Sequence, residues 1–212
     1  GRIMETYLPL IWAGIIGLGV FMYGLMDGFD LGIGILFPFA ESEEERDVMM
    51  NTVAPVWDGN ETWLVLGGGG LLAVFPLAYA IIMPALYFPI LIMLIALIFR
   101  GVAFEFRFKS DHKRLWGVAF WFGSTLATFS QGLVLGGFIQ GFEVEGRNFV
   151  GGAFDWFSWF SVVIGLALVA GYGLLGATWL ILKTEGETQD RFYRLARPLL
   201  VAMIAFIIIV SI

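Results

Sequence analysis

The chain has 212 residues, no cysteine, a formal charge of -6, charged side chains at only 14% of positions and hydrophobic ones at 59%, with a mean hydropathy of +0.86. A soluble domain carries about a quarter charged residues, so a water-soluble globule is excluded, as are disulfides, thiolate metal sites and iron–sulfur clusters. The acidic balance also argues against a nucleic-acid partner.

The apolar residues fall in long continuous blocks, where a half-buried soluble helix would show a stripe. A spanning helix needs about 20 apolar residues to cross roughly 30 Å of hydrocarbon. About six such blocks predict an all-α, polytopic membrane helical bundle, one membrane domain over 1–212.

The first span is expected at about 8–36; it is too long for a signal peptide and lacks a basic region before it. Its last third, FMYGLMDGFDLGIGILFPF, holds Asp27 and Asp30. An ionised carboxylate in a membrane must face protein, water or a partner charge, and a spacing of three puts both acids on one helix face. They read either as a structural pair salt-bridged to an arginine, with Arg100 the candidate, or as part of a proton path. Gly24, Gly28 and Gly32 form a small-residue ridge beside them, suited to close helix packing.

An amphipathic connector at 40–53, carrying the acidic run ESEEERD, leads to a second span at 57–76. Its entry, VAPVWDGNETW, sets Asp58 and Glu61 between Trp57 and Trp63. Asp58 and Glu61 match a capping box in outline, and the tryptophans suit an interfacial belt. The alternative is a hydrated proton entry, with these acids level with Asp27 and Asp30. Gly67–Gly70 reads as a tight helix crossing, since neither a strand nor a phosphate-loop lysine accompanies it.

The third span is expected at 78–101, ending at Arg100 as a snorkelling anchor or charge partner. The fourth, at 115–140, holds Gln131 and Gln140, expected to hydrogen-bond across helices. The fifth, at 154–182, opens on DWFSWF, which reads as an aromatic belt. The sixth, at 196–212, offers only a short apolar run after Pro198, so the chain reads as C-terminally truncated. His112 is the one histidine and falls in a basic loop, a poor metal or haem ligand; no metal site is expected. One set of loops holds Arg46, Arg100, Arg107, Lys109, Lys113, Arg114, Lys183, Arg191, Arg194 and Arg197; the other holds Arg2 and Arg147. That bias places the first set in the cytoplasm and the N-terminus outside.

DGFDLGIG, VAPVWDGNETW, FRGVAFEFR and the later GATWL at 176–180 resemble, in order and through most of the chain, subunit II of the cytochrome bd-type quinol oxidases. The resemblance implies about eight helices in two four-helix bundles, of which this chain would cover the first bundle and the start of the second. It implies a partner, subunit I, in the bacterial cytoplasmic (inner) membrane, and admits a small accessory membrane subunit. Haem b, haem d and the quinol site would belong to subunit I, and the heterodimer would oxidise quinol and reduce dioxygen to water with cytoplasmic protons. Asp27, Asp30 and Asp58 fall in motifs associated with proton supply, and Trp63 in a region associated with dioxygen access. Two other readings stand beside this one: a purely structural partner subunit, and a stand-alone proton-coupled transporter, for which MPALYFPI would supply a broken helix.

Overall fold

The computed structural model describes the backbone of Arg2–Ser211 and the side chains from Tyr7 to Ser211. The Arg2 side chain, counted above among the outer charges, and Ile212, the expected end of the sixth span, lie outside the described residues. Eight α-helices are described: α1 (Arg2–Leu36), α2 (Glu43–Asn51), α3 (Trp57–Val74), α4 (Pro76–Ala85), α5 (Tyr87–Arg107), α6 (Lys113–Gln140), α7 (Trp159–Lys183) and α8 (Gly186–Ser211). A two-stranded hairpin, β1 (Val144–Glu145) and β2 (Asn148–Phe149), lies between α6 and α7.

The fold is an all-α polytopic membrane bundle. Among the described residues, five helices are long and apolar enough to cross a membrane: Tyr7–Phe39, α5, α6, α7 and α8. The expected second span is not among them. It is α3, only 18 residues long, and its first five residues include Asp58, Asn60 and Glu61.

Helices α5, α6, α7 and α8 pack neighbour against neighbour, while α1 lies across α6 and α7 and carries α3. Small residues set the crossings, because lipid supplies no hydrophobic drive between helices and close backbone contact must replace it. A Cβ on Gly32 would lie 1.9 Å from the Tyr172 carbonyl oxygen and 2.7 Å from the Gly176 nitrogen. Gly132 meets Gly165 in the same way where α6 crosses α7. The 24–28–32 ridge therefore has a partner, and it is α7.

The connector α2 closes one end of the bundle. Ser42 caps it by accepting from the Glu45 N–H at 3.1 Å, and an acidic first turn suits the helix dipole. Met49, Met50 and Val53 are wholly buried in a cluster with Phe104, Phe120, Leu180 and Phe192. The polar face is clamped by cations from three other helices. Arg107 binds Glu43 at 2.6 Å and also Asp47, Lys113 binds Asp47 at 2.8 Å, and Arg191 binds Glu45 at 3.0 Å and also Glu41. Arg107 and Lys113, expected only as orientation charges, thus hold the connector in place; Arg107 is fully buried beneath the Phe37 ring.

Several helix ends differ from the sequence expectation. Pro76 opens a separate short helix, and α5 starts after the bend at Leu86 and runs on to Arg107. The fifth span starts at Trp159 because Ser158 and Ser161 form a capping box. Within DWFSWF, Trp156 is buried with Leu86 and Leu133, which corrects the belt reading for that residue. The last helix begins at Gly186, ten residues early, because its first turns are amphipathic: Phe192 is buried while Arg191 reaches α2.

Candidate functional site

One cation organises the interior. Arg100, on α5, is completely buried, seven residues before the helix ends. It does not snorkel, which corrects the anchor reading: the aqueous end is too far away along a helix that continues past it. Its Nη1 lies 3.3 Å from Oδ1 of Asp27 on α1 and 3.6 Å from Oε2 of Glu61 on α3. Asp27 and Asp30 are both buried, and Asn60 donates from Nδ2 to Oδ2 of Asp30 at 2.8 Å. Trp57 lies with its ring 5.8 Å from the Arg100 guanidinium carbon and stacks on Phe104. Two carboxyl groups thus meet one guanidinium, with the third, Asp30, one turn from Asp27. A dry interior cannot hold three anions against a single cation, so the site must hold a proton or reach solvent.

It reaches the surface through a groove of about 510 Å³ between α3 and α5, lined by Trp57, Asp58, Glu61, Thr62, Leu97 and Gly101 among others. Asp58 is exposed, Glu61 is 26% exposed at its side chain, and Asp27 is closed off. The acids therefore differ in exposure, from open to enclosed. Asn60, in the first turn of α3, lies 3.5 Å from the Met26 carbonyl oxygen and also donates to Asp30, so the start of α3 packs beside the Asp27–Asp30 turn of α1.

The capping-box reading of Asp58 and Glu61 is also corrected. The residue before α3 is Val56, without a side-chain cap, and Glu61 turns to Arg100 instead. Trp63 is half-buried on α3, and no polar contact joins it to the charge chain. Gln140 accepts from Ser158 Oγ at 2.5 Å, and Gln131 bridges Tyr23 and Tyr172. Asn60 was not singled out from the sequence. Its signal was its place between Asp58 and Glu61 in a turn that already looked too polar.

Fold and site together define a class: a multi-pass helical membrane protein holding a buried carboxylate–arginine chain that opens laterally near one end of the bundle. The family model described as cytochrome bd terminal oxidase subunit II matches residues 8–212, and the chain belongs to that family. It is 32% identical to cytochrome bd ubiquinol oxidase subunit 2 of Bacillus subtilis, with 92% of this chain and 61% of the relative covered. It is 30% identical to the probable cytochrome oxidase subunit 2 of Haemophilus influenzae, covering 95% and 56%. It is 33% identical to cytochrome bd-I ubiquinol oxidase subunit 2 of Escherichia coli K12, covering 87% and 51%. The chain thus spans between about half and three fifths of the length of these relatives.

A cytochrome needs haem, whose iron takes imidazole, thiolate, thioether or phenolate donors. The imidazole and thiolate donors here do not fit it. His112 is exposed at the N-terminus of α6, cysteine is absent, and Met49 and Met50 are packed into the apolar cluster under α2. Among the described residues, no group of three or more His, Cys, Asp or Glu side chains could hold a metal ion.

Proposed function

We propose that this chain is the non-haem subunit of a bacterial cytochrome bd-type quinol:dioxygen oxidoreductase. In this reading it lies in the inner membrane with its N-terminus outside, scaffolds a haem-bearing partner subunit, and helps deliver cytoplasmic protons for dioxygen reduction to water. Family membership and the named relatives support the oxidase. Support for the orientation comes from Arg46, Arg107, Lys113, Arg114 and Arg191, which gather at the α2 end, the end expected to face the cytoplasm. Haem b, haem d and quinol oxidation are assigned to the partner.

The observation that carries the proton role is the graded exposure of the acids. Asp58 gathers protons at the groove, Glu61 takes them inward, and Asp27 is the deepest carboxyl, with Asp30 and Asn60 beside it. Arg100 supplies the counter-charge that lets a carboxyl release its proton without stranding an isolated buried anion. The competing reading, a scaffold whose acids are only ion-paired, draws on the same Asp27–Arg100 contact.

Turnover of the intact complex separates the two. Asp27→Asn is expected to slow quinol oxidase turnover roughly a hundredfold, the ordinary weight of a proton-transfer group, with haem content unchanged. Asp58→Asn should slow it less, since Glu61 also lines the groove. Unchanged turnover in both variants would leave only the scaffold.

A further inference from the structure

Above Asp27 a second polar arm enters the bundle. The Tyr172 hydroxyl on α7 donates to Oε1 of Gln131 on α6 at 3.0 Å, and Nε2 of Gln131 donates to the Tyr23 hydroxyl oxygen on α1 at 2.6 Å. Tyr23 and Tyr172 are both buried. With Gln131 donating to it, Tyr23 still has its own proton to place, and a buried hydroxyl proton without an acceptor is costly. Tyr23 stands four residues before Asp27, on the same face of α1. Both oxygens of Asp27 are buried and lack a hydrogen-bond donor. Among the described residues, no hydrogen bond carries the Tyr23 proton to an acceptor, and the Asp27 carboxyl, itself without a hydrogen bond, is the acid one turn away. We propose that Tyr23 is a positioning residue for Asp27, aimed by Gln131 and Tyr172, so that the Asp27 carboxyl is held between Arg100 on one side and a phenolic donor on the other.

The glycine ridge makes this arm possible. The Tyr172 ring lies over Gly28, where a Cβ would come within 3.0 Å of Cε1, and its hydroxyl lies against Gly24 at 3.4 Å. Side chains on the ridge would lift α7 and take the hydroxyl out of reach of Gln131. Packing and chemistry are thereby joined: the close crossing brings a donor from α7 to bear on an acid of α1.

The inference rests on the proton-delivery reading, and a mutant cycle in the intact, haem-loaded complex tells the two apart. Tyr23→Phe is expected to slow turnover roughly fivefold, the effect of one hydrogen bond, and to add nothing when Asp27→Asn is already present. Tyr172→Phe should act in the same direction and be equally silent beside Asp27→Asn. The infrared band lost in Asp27→Asn should shift in Tyr23→Phe, which decides the matter where the double variant is too slow to assay. Equal slowing by Tyr23→Phe in both backgrounds, or an unshifted band, would reduce Tyr23 to packing and overturn the proposal. If Asp27→Asn slows turnover while Tyr23→Phe does nothing, only this inference falls; if Asp27→Asn does nothing, the delivery reading falls with it. Should Tyr23→Phe lose its haem, Gln131→Met with Tyr172→Phe carries the same cycle.

Discussion

Taking the guanidinium away from Arg100 would leave Asp27 and Glu61 facing each other's charge across a space that Arg100 now fills at 3.3 Å and 3.6 Å. Breaking a buried pair from one side typically costs about 3–5 kcal/mol, because the remaining charge is stranded. Arg100→Met is therefore expected to destabilise the purified complex by about that much in thermal denaturation, and Arg100→Lys by clearly less. A second expectation concerns Asp47, at the α2 clamp. Partial burial pulls its carboxyl upward, but hydrogen bonds from Lys113 and Arg107 outweigh that and leave it below its ordinary 3.8. A carboxyl lowered by folding stabilises the docked state fully above its unfolded value and loses that contribution as pH falls through the folded one. Amide exchange over Glu43–Asn51, corrected for intrinsic rate, should therefore rise selectively below pH 3.8, and unchanged protection would contradict it. Asp27, Asp30 and Arg100 were legible in the sequence because a charge inside an apolar run is conspicuous. Tyr23 and Tyr172 were not, since a tyrosine in a membrane helix is unremarkable until its hydroxyl partner, 108 or 41 residues away, is known.

Helix α1 is held to α7 by contacts that differ sharply along one ridge. A Cβ at Gly32 would overlap backbone at 1.9 Å, whereas one at Gly24 would make an ordinary contact at 3.4 Å. Backbone cannot swing aside as a side chain does, so Gly32→Ala should cost about 1–3 kcal/mol or more. Gly24→Ala should stay near wild type in the same denaturation assay, and equal effects would refute the crossing. The ridge was readable from its spacing of four, but its partner was not, since nothing in α1 names the helix it meets. Helix ends were the least legible feature. Residues 187–195 looked like a loop because they are polar, yet they form the first turns of α8, with Phe192 buried and Arg191 fastened to Glu45. Composition reports what faces lipid, and a helix lying over a connector has no such signature.

Across the whole molecule, the membrane class followed from composition and the family from a few short motifs, while the route through the bundle required coordinates. The sequence reading set the acids side by side at one level. The structure brings them together in steps of exposure, from the exposed Asp58 through Glu61 to the enclosed Asp27, because α3 packs on α1 with its first turn against the charge cluster. The clamp of Arg107, Lys113 and Arg191 holds α2 across the end of the bundle, and the groove between α3 and α5 is where Asp58 and Glu61 line the protein surface. The proposed role comes down to whether protons use those steps. Time-resolved proton uptake by the haem-loaded complex carrying Asp27→Asn, in vesicles of known orientation, is the most direct measurement. Uptake from the α2 side slowed in parallel with dioxygen reduction is the expected result, and uptake at the wild-type rate with full haem content would contradict the account.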